Sequence, residues 1–581
     1  MIDQVAFDVI QEEAPFTSEC VKGTTGACKG ESFFREHEGK RYCVLHLPDA
    51  DKKEAFDSAV KKKLESQDFN YQEVWFPNKP RFSGIQIDKP VDFSNAVFND
   101  GVYFYNTTFR SKVKVEGAEF NEDARFGGVT FKADVDFKSV TFRKEADFNR
   151  ARFEGDADFW RCTFMGDAEF RDTVFLETAS FWPSIFNSTA SFTKASFVSA
   201  NFRASEFNGK AVFMWCAFDS ATFRQASFSS DADFFDSRFE GLADFAGATF
   251  DAVARLTQSE FSAEARFAFT TFNGEADLSY TVFKDFVSFS GEHGSTGFGG
   301  NAAVDFRHAR FEIPSRVSFH GLTLRPHWLV NLDPREFEFI DVKWIGNLTQ
   351  DFIDIEIREL KKREELEEKK AADRLEEHRK TVEQYHDEFE IERLKRYEAE
   401  EARAEAAKSD EKRTRFYRLL SITCRQLAVN SEENHRYDQG SDFCFWSMEL
   451  QRKEGWKARG TLTIGVLHSL YRYLSGYGEE ILRALVMLIA IFLFFAFLYT
   501  RVGFVQPPSI TPEAMVSTTG EVGQPQKPTR ALVYSLAVIT LQRPEPRPLT
   551  ATAWSAVLAE TILGPIQAAL LILAVRRRFM R

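Results

Sequence analysis

The sequence predicts a mixed fold in three parts: a β-solenoid of very short strands, a long charged α-helix, and an α-helical membrane domain with two spans and a re-entrant loop. Three observations carry this reading. Phe recurs in alternating steps of five and six residues through the middle of the chain: Phe93, Phe98, Phe104, Phe109, then Phe120, Phe126, Phe131, Phe137 and onward to Phe289. Residues 351–412 are dense in Glu, Lys, Arg and Ala and contain no Gly or Pro. Two apolar stretches, Ile481 to Tyr499 and Ala553 to Val575, lie near the end of the chain.

The Phe spacing fits neither a helix face, which repeats at three and four, nor a flat strand, which repeats at two. A fixed internal period marks a solenoid. The local phrase is Ala-Asp-Phe-x-x-Ala-x-Phe, as at Ala243-Asp244-Phe245 through Phe250. Val115, Leu256 and Leu278 fill beats where Phe is missing, and the steps Phe197 to Phe202 and Phe218 to Phe223 are one residue short. A large residue at the centre of each step, with a small one two before it, fits one side of a square coil. Phe points inward, Ala packs beside it, and the Asp or Asn between them faces the turn. In these features the stretch from Val91 to about Leu324 resembles the pentapeptide-repeat family. The resemblance implies a right-handed quadrilateral β-helix, here of roughly nine coils and about 45 Å in length. Many members keep strict fives, so the sixes predict an extra turn residue or bulge on alternate corners.

The other segments follow in order. Residues 1–48 carry Cys20, Cys28, Cys43 and His46. The last two form Cys-x-x-His, a spacing that lets two ligands face one ion, and the set predicts a structural zinc. The alternative is three reduced cysteines and a surface histidine. Residues 49–90 predict a helical N-terminal cap, with Phe56, Val60 and Leu64 on one face, over the open edge of the solenoid. The Gly-rich stretch 290–303 reads as a loop without a phosphate-binding lysine. Residues 325–350 predict a C-terminal cap with His327, Trp328 and Trp344. Residues 351–412 predict a helix of about 60 residues and 90 Å, either a short coiled coil or a single charge-laced helix. Residues 413–480 predict a helical linker with an interfacial approach at Ser475-Gly476-Tyr477-Gly478, and 481–581 the two-helix membrane domain.

The formal net charge is −13. A surface that acidic does not bind nucleic acid by counterion release, although some pentapeptide-repeat proteins mimic DNA. The chain shows no nucleophile–base set and no phosphate cradle, and repetition itself explains the solenoid's aspartates; the expectation is that it is not an enzyme. Seven cysteines in a cytoplasmic chain predict thiols rather than a disulfide frame.

Each apolar stretch is long enough to span a bilayer. Lys457, Arg459, Arg472 and Arg483 precede or enter the first, and Arg576-Arg577-Arg578 close the second, which predicts both termini in the cytoplasm of a bacterial inner membrane. Met1 to Pro15 lacks the apolar run of a signal peptide. Between the spans, Ala531 to Leu541 is too short to cross but long enough to dip in. The text that follows, Thr540-Leu541-Gln542-Arg543-Pro544-Glu545-x-Arg547-Pro548, resembles the pore loop of potassium channels. Gln542-Arg543-Pro544 replace the filter's Gly-Tyr-Gly, so a potassium filter is not expected, and the Arg residues point to anions. Glu545 paired with Arg543 or Arg547 is the plainer alternative. Gly564-Pro565 resembles the hinge of channel inner helices, and Glu560 and Gln567 share one face, with Thr561 and Gly564 close to it. Glu560 is expected to face a bundle interior or a wet cavity.

The order of segments resembles bacterial proteins that join pentapeptide repeats to a two-helix channel-like module. The expectation is a homo-oligomer, a tetramer if it forms a pore, gated when a protein partner on the solenoid moves the long helix and tilts the second span. The competing expectation is a non-conducting membrane scaffold.

Overall fold

The computed structural model describes residues 27–28, 33–80, 82–291, 304–344, 353–362, 364–365, 369, 409–458, 462–478, 480–505 and 525–579. Cys20, the Gly-rich stretch 292–303 and most of the expected long helix at 351–412 lie outside the described residues. The chain divides into two compact units, Met1–Ile345 and Gly346–Arg581.

The first unit is a β-solenoid. After a hairpin, β1 (Phe33–His37) and β2 (Lys40–Cys43), and a helix, α1 (Lys53–Glu65), the chain coils through two-residue strands on four sides. All coil pairings are parallel, and each side stacks on itself one coil later: Phe98 on Phe120 and Phe142, Ala124 on Ala146, Phe131 on Phe153, and Val135 on Ala157. A coil therefore takes 22 residues, two fives and two sixes. Backbone groups are satisfied by the neighbouring coil, as in Asn121 N–H to Phe98 O at 2.9 Å and Phe126 N–H to Asp147 O at 2.6 Å. The inward rings stack nearly parallel along the axis: Phe137 and Phe159 lie 4.8 Å apart at 2°, Phe159 and Phe181 4.7 Å apart at 3°.

Alternate corners differ, as the spacing predicts. A five-residue corner closes with a one-to-four hydrogen bond, such as Ala118 N–H to Val115 O at 3.0 Å, and its third residue has positive φ (Asn95, Gly117, Ser139). The Asp of the local phrase caps this turn: Asp136 Oδ1 accepts from Lys138 N–H, and Asp158 Oδ1 from Trp160 N–H, both at 3.0 Å. The small residue behind the turn also bonds the backbone of the coil before it, as Thr173 Oγ1 does to Phe148 O at 2.9 Å. Cys162 and Cys216 occupy this position, bonded to Phe137 O and Phe192 O, and burial pushes both thiols up. The six-residue corners hold the extra residue in an open bend. There the coils come so close that a Cβ on Gly209 would sit 2.3 Å from the Ser188 carbonyl group.

The two short steps stack on one another. At that corner the strands Val174–Ser180 and Ser196–Asn201 run straight through, with a register shift between Phe175 and Thr178. The missing residue is thus absorbed by flattening a corner, and the ladders continue unbroken.

The solenoid is longer than the Phe beats suggest, about 12 turns rather than nine. Its ladders start at Trp75–Phe76 and Gln86–Ile87, inside the segment expected to be a helical cap; only Lys53–Glu65 is α-helical there. Tyr71, Phe76, Phe82 and Ile87 keep the five–six rhythm with altered residues and are all buried. At the other end Glu338–Ile340 and Lys343–Trp344 still pair onto the coil. Before them, the short 3-10 turn Pro326–Leu329 buries His327 and Trp328 as an end cap.

The second unit is helical. Residues 353–362 form a helix with Ile353, Ile357 and Leu360 buried and Asp354 paired to Lys453 at 2.8 Å. Helices α2 (Ser409–Glu433) and α3 (Tyr437–Ala458) form an antiparallel hairpin closed by reciprocal Ser421–Ser447 bonds of 3.0 Å. Then come α4 (Leu462–Ser475), α5 (Ile481–Tyr499), α6 (Pro528–Ile539) and α7 (Ala551–Phe579). Two helical stretches, Ile481–Tyr499 and Ala551–Arg576, are long and apolar enough to cross a membrane, and only 17% and 22% of their apolar windows are buried. A core helix of a soluble domain would be mostly covered.

Phe159 is fully buried between rings above and below it. Phe159→Ala leaves a cavity within the stack and is expected to destabilise the solenoid by about 3–5 kcal/mol, read as a lowered β-structure melting temperature by circular dichroism. An unchanged melting temperature would mean that the ring column does not hold the coils.

Candidate functional site

The last three helices pack as one module. Helix α6 starts beside the end of α5, where Gln526 N–H donates to Tyr499 O at 3.2 Å. Further along, Ser535 Oγ lies 3.1 Å from Phe492 O. The final residue, Ile539, rests on Gly564 near the middle of α7, where a Cβ would sit 2.8 Å from Ile539 Cγ1. Glycine is needed for this approach. The chain then turns back: Val505 N–H donates to Arg547 O at 3.0 Å and Leu549 N–H to Gly503 O at 3.2 Å, flanking a Phe504–Pro548 bridge. The short helix thus enters and leaves from the Tyr499 end of the long pair. Phe495, Tyr499, Phe504, Ala531, Tyr534, Val538, Ala553 and Ala556 form its apolar core.

Four buried polar side chains of this module, Tyr499, Ser535, Glu560 and Gln567, make ties between helices. Glu560 is fully buried, with Oε2 bonded to Tyr499 OH and Oε1 to Ser535 Oγ. Gln567 Nε2 donates to Leu474 O at 2.8 Å and Ala484 O at 2.9 Å, joining α7 to the end of α4 and the start of α5. Glu560, Gly564 and Gln567 share one buried face of α7, while Thr561, expected near that stripe, is exposed and bonds its own helix at Val557 O. Helix α7 runs unbroken through Pro565.

The filter-like text adopts a helix ending. Thr540 Oγ1 caps Leu536 O and Ala537 O at 3.0 and 3.1 Å, Leu541 sits at φ +59°, and Gln542 N–H donates to Ala537 O at 2.8 Å. Thr540, Leu541, Gln542, Arg543, Glu545 and Arg547 are exposed, and Pro544 is half-buried. Among the described residues no ion pair joins Glu545 to Arg543 or Arg547, so that pairing is not what orders the segment.

The approach to α5 is fixed by a buried carboxylate. Glu449 of α3 bonds Arg452 Nη2 at 2.5 Å, Arg472 Nη1 of α4 at 3.0 Å and Tyr477 OH at 3.0 Å. Burial alone would raise its pKa. The Arg452 hydrogen bond, the two guanidinium charges and the tyrosine hydroxyl outweigh that and hold it below the usual carboxylate value. The Gly476-Tyr477-Gly478 turn, with Tyr477 at φ +61°, is pinned by this cluster.

In the solenoid unit, Cys28, Cys43 and His46 converge, fully buried, with their ligand atoms within 4.8 Å of one another. Cys28 Sγ lies 2.9 Å and Cys43 Sγ 3.2 Å from His46 Nδ1, and the sulfurs are 3.6 Å apart. His46 Nε2 bonds Gln72 O at 3.0 Å, which puts its hydrogen there and leaves the Nδ1 lone pair facing the sulfurs. The group could hold a metal ion. Nearby Lys52 is buried with Nζ on Leu45 O at 2.8 Å; burial pulls its pKa down to about 7 against the opposing pull of Cys43.

A family model described as pentapeptide repeats (9 copies) matches residues 116–163 and 234–282. The solenoid is built of pentapeptide repeats. No curated protein and no solved structure matches the chain. The match covers two stretches of the solenoid, and the second unit has to be read from its own residues.

Sequence reasoning missed Tyr499, Ser535 and Glu449. A carboxyl in an apolar stretch needs donors, and Tyr499 and Ser535 are polar residues of the two neighbouring apolar segments. That signal was available from composition, but which donor reaches which oxygen depends on packing.

Proposed function

We propose that this chain is a membrane-anchored pentapeptide-repeat protein of the bacterial inner membrane, whose α5–α6–α7 module is pore-type and whose solenoid lies in the cytoplasm and binds a protein partner. The observation that carries this reading is the short helix that enters and leaves from one end of two largely uncovered apolar helices. A bilayer covers such a surface, and non-spanning backbone is tolerated at membrane depth where protein buries it. Basic residues outside both spans favour inward-facing termini. In this reading α6 is the re-entrant element. Four copies about one axis would enclose an opening rimmed by Arg543 and Arg547, which favours anions over potassium. Gly564-Pro565 is where α7 would bend when a solenoid partner shifts the helices before α5. The second reading, a non-conducting scaffold, is favoured by one observation: the Thr540–Gln542 N–H groups all bond back into α6, which winds this stretch onto the helix end instead of into an extended run of filter carbonyls.

Planar-bilayer recording of the full chain across a salt gradient separates the two. The expected result is discrete openings with an anion-selective reversal potential, moved toward cations in Arg543→Glu/Arg547→Glu. A silent protein contradicts the pore reading and leaves the scaffold.

We infer in addition a structural zinc at Cys28, Cys43 and His46, with Cys20 as the fourth ligand. Structural zinc takes four ligands in a closed site, two to four of them thiolates and the rest imidazole, and its binding adds directly to folding stability. Metal analysis of the purified chain is expected to give about one zinc per chain, lost in His46→Ala, with chelation lowering the melting temperature of the solenoid unit. A metal-free chain whose melting temperature ignores chelator would contradict it.

A further inference from the structure

The hydrogens that tie α6 between the long helices can be counted. Three contacts join the set: Tyr499 OH to Glu560 Oε2, Ser535 Oγ to Glu560 Oε1, and Ser535 Oγ to Phe492 O at 3.1 Å. Each needs its own hydrogen. Tyr499 and Ser535 bring one each, and a backbone carbonyl brings none. With Glu560 ionised, two hydrogens serve three contacts, and one contact is two lone pairs face to face. With a proton on Oε1, Glu560 donates to Ser535, Ser535 donates to Phe492 O, and Tyr499 donates to Oε2. Every contact is then a hydrogen bond.

The surroundings point the same way. Glu560 is fully buried. From α5 it meets Tyr499, and from α6 Ser535, with Tyr534 beside Tyr499 at 5.1 Å between rings. Arg483, the one charged residue of α5, is engaged with Glu480 at 3.0 Å at the other end of that helix. Among the described residues no cation forms an ion pair with Glu560. A buried carboxylate without a cation is costly, whereas a neutral acid with both oxygens hydrogen-bonded is not.

We propose that Glu560 is a proton-binding site: the folded module holds it as the neutral acid, and that proton is the hydrogen that completes the tie of α6 to α5 through Ser535 and Phe492. Loss of the proton leaves one contact unsatisfied and loosens α6 from the first span. The inference rests on the α5–α6–α7 packing and not on conduction.

The test compares the full chain with Glu560→Gln in detergent, following unfolding at about pH 5, 6 and 7. A Gln amide supplies the same donor and acceptor without titrating. A proton held by the folded state but released by the unfolded one disfavours folding progressively as pH rises above the unfolded carboxyl value, and the trend stops once the folded site ionises. The unfolding constant of the wild type relative to the variant is therefore expected to rise by up to tenfold per pH unit over this range. A ratio that stays flat from pH 5 to 7 overturns the proposal while leaving the membrane module standing. If the Gln variant does not fold, an apolar carbodiimide, which reacts with neutral carboxyls, decides on the wild type at pH 7. Modification of Glu560 seen by peptide mass spectrometry supports the bound proton, and an unmodified Glu560 overturns it.

Discussion

Parallel stacking at a fixed coil length is the constraint on which the solenoid depends. Most strands are only two residues long and could not persist alone, so their backbone groups are satisfied by the coils on either side. That arrangement holds only if each residue meets its equivalent one coil later. Phe stacked on Phe, as at 4.8 Å for Phe137 and Phe159, Asp capping its own turn and a small residue bonding the previous coil are all consequences of this one register. It also explains why the residue missing at Ser196–Asn201 is met by a straightened corner, with the extra residue of Val174–Ser180 bulged opposite it: slipping the register would turn Phe outward along every later coil.

The helical unit works by the opposite economy. Its two long apolar helices are largely uncovered, and a few buried polar side chains fix the junctions around them. Glu449 joins α3 and α4 to the Tyr477 turn, Gln567 joins that approach to α7, and Glu560 joins α5, α6 and α7. These three sites form a continuous series from the helical hairpin to the short helix. A movement of α3 relative to α4 would disturb the Glu449 cluster first. In the proposed reading, that series is the route by which a shift of α3 or α4 reaches α5–α7.

The sequence made the solenoid legible because its inward residue is large, almost always Phe, and set at a period no other element shares. Its first coil was hidden only because Tyr71 and Ile87 replace Phe, in a stretch crowded with Pro77, Pro80 and Pro90. The Asp caps and the two corner types also followed from the spacing. The helical unit was less legible. Long apolar runs announce α5 and α7, but the partners of Glu560 lie 61 and 25 residues away, and nothing in local spacing pairs them. The filter-like letters were read by position, whereas the backbone at Leu541 takes a left-handed turn that letters do not reveal. Cys28, Cys43 and His46 were legible as a set, and Gln72, which orients the imidazole, was not, because it belongs to the first coil.

The central claim for the helical unit is that α6 dips between two spanning helices and returns to the side it came from. Site-specific labelling of intact cells with a membrane-impermeant maleimide tests this most directly, using Arg501→Cys, Glu545→Cys and Arg576→Cys. The chain's own cysteines all precede Ile481 and so lie on the inner side in this account. The account predicts that positions 501 and 545 are labelled from outside and position 576 only after permeabilisation. Labelling of 501 and 576 from outside, with 545 labelled only after permeabilisation, would mean that the short helix crosses, and the re-entrant arrangement would be wrong.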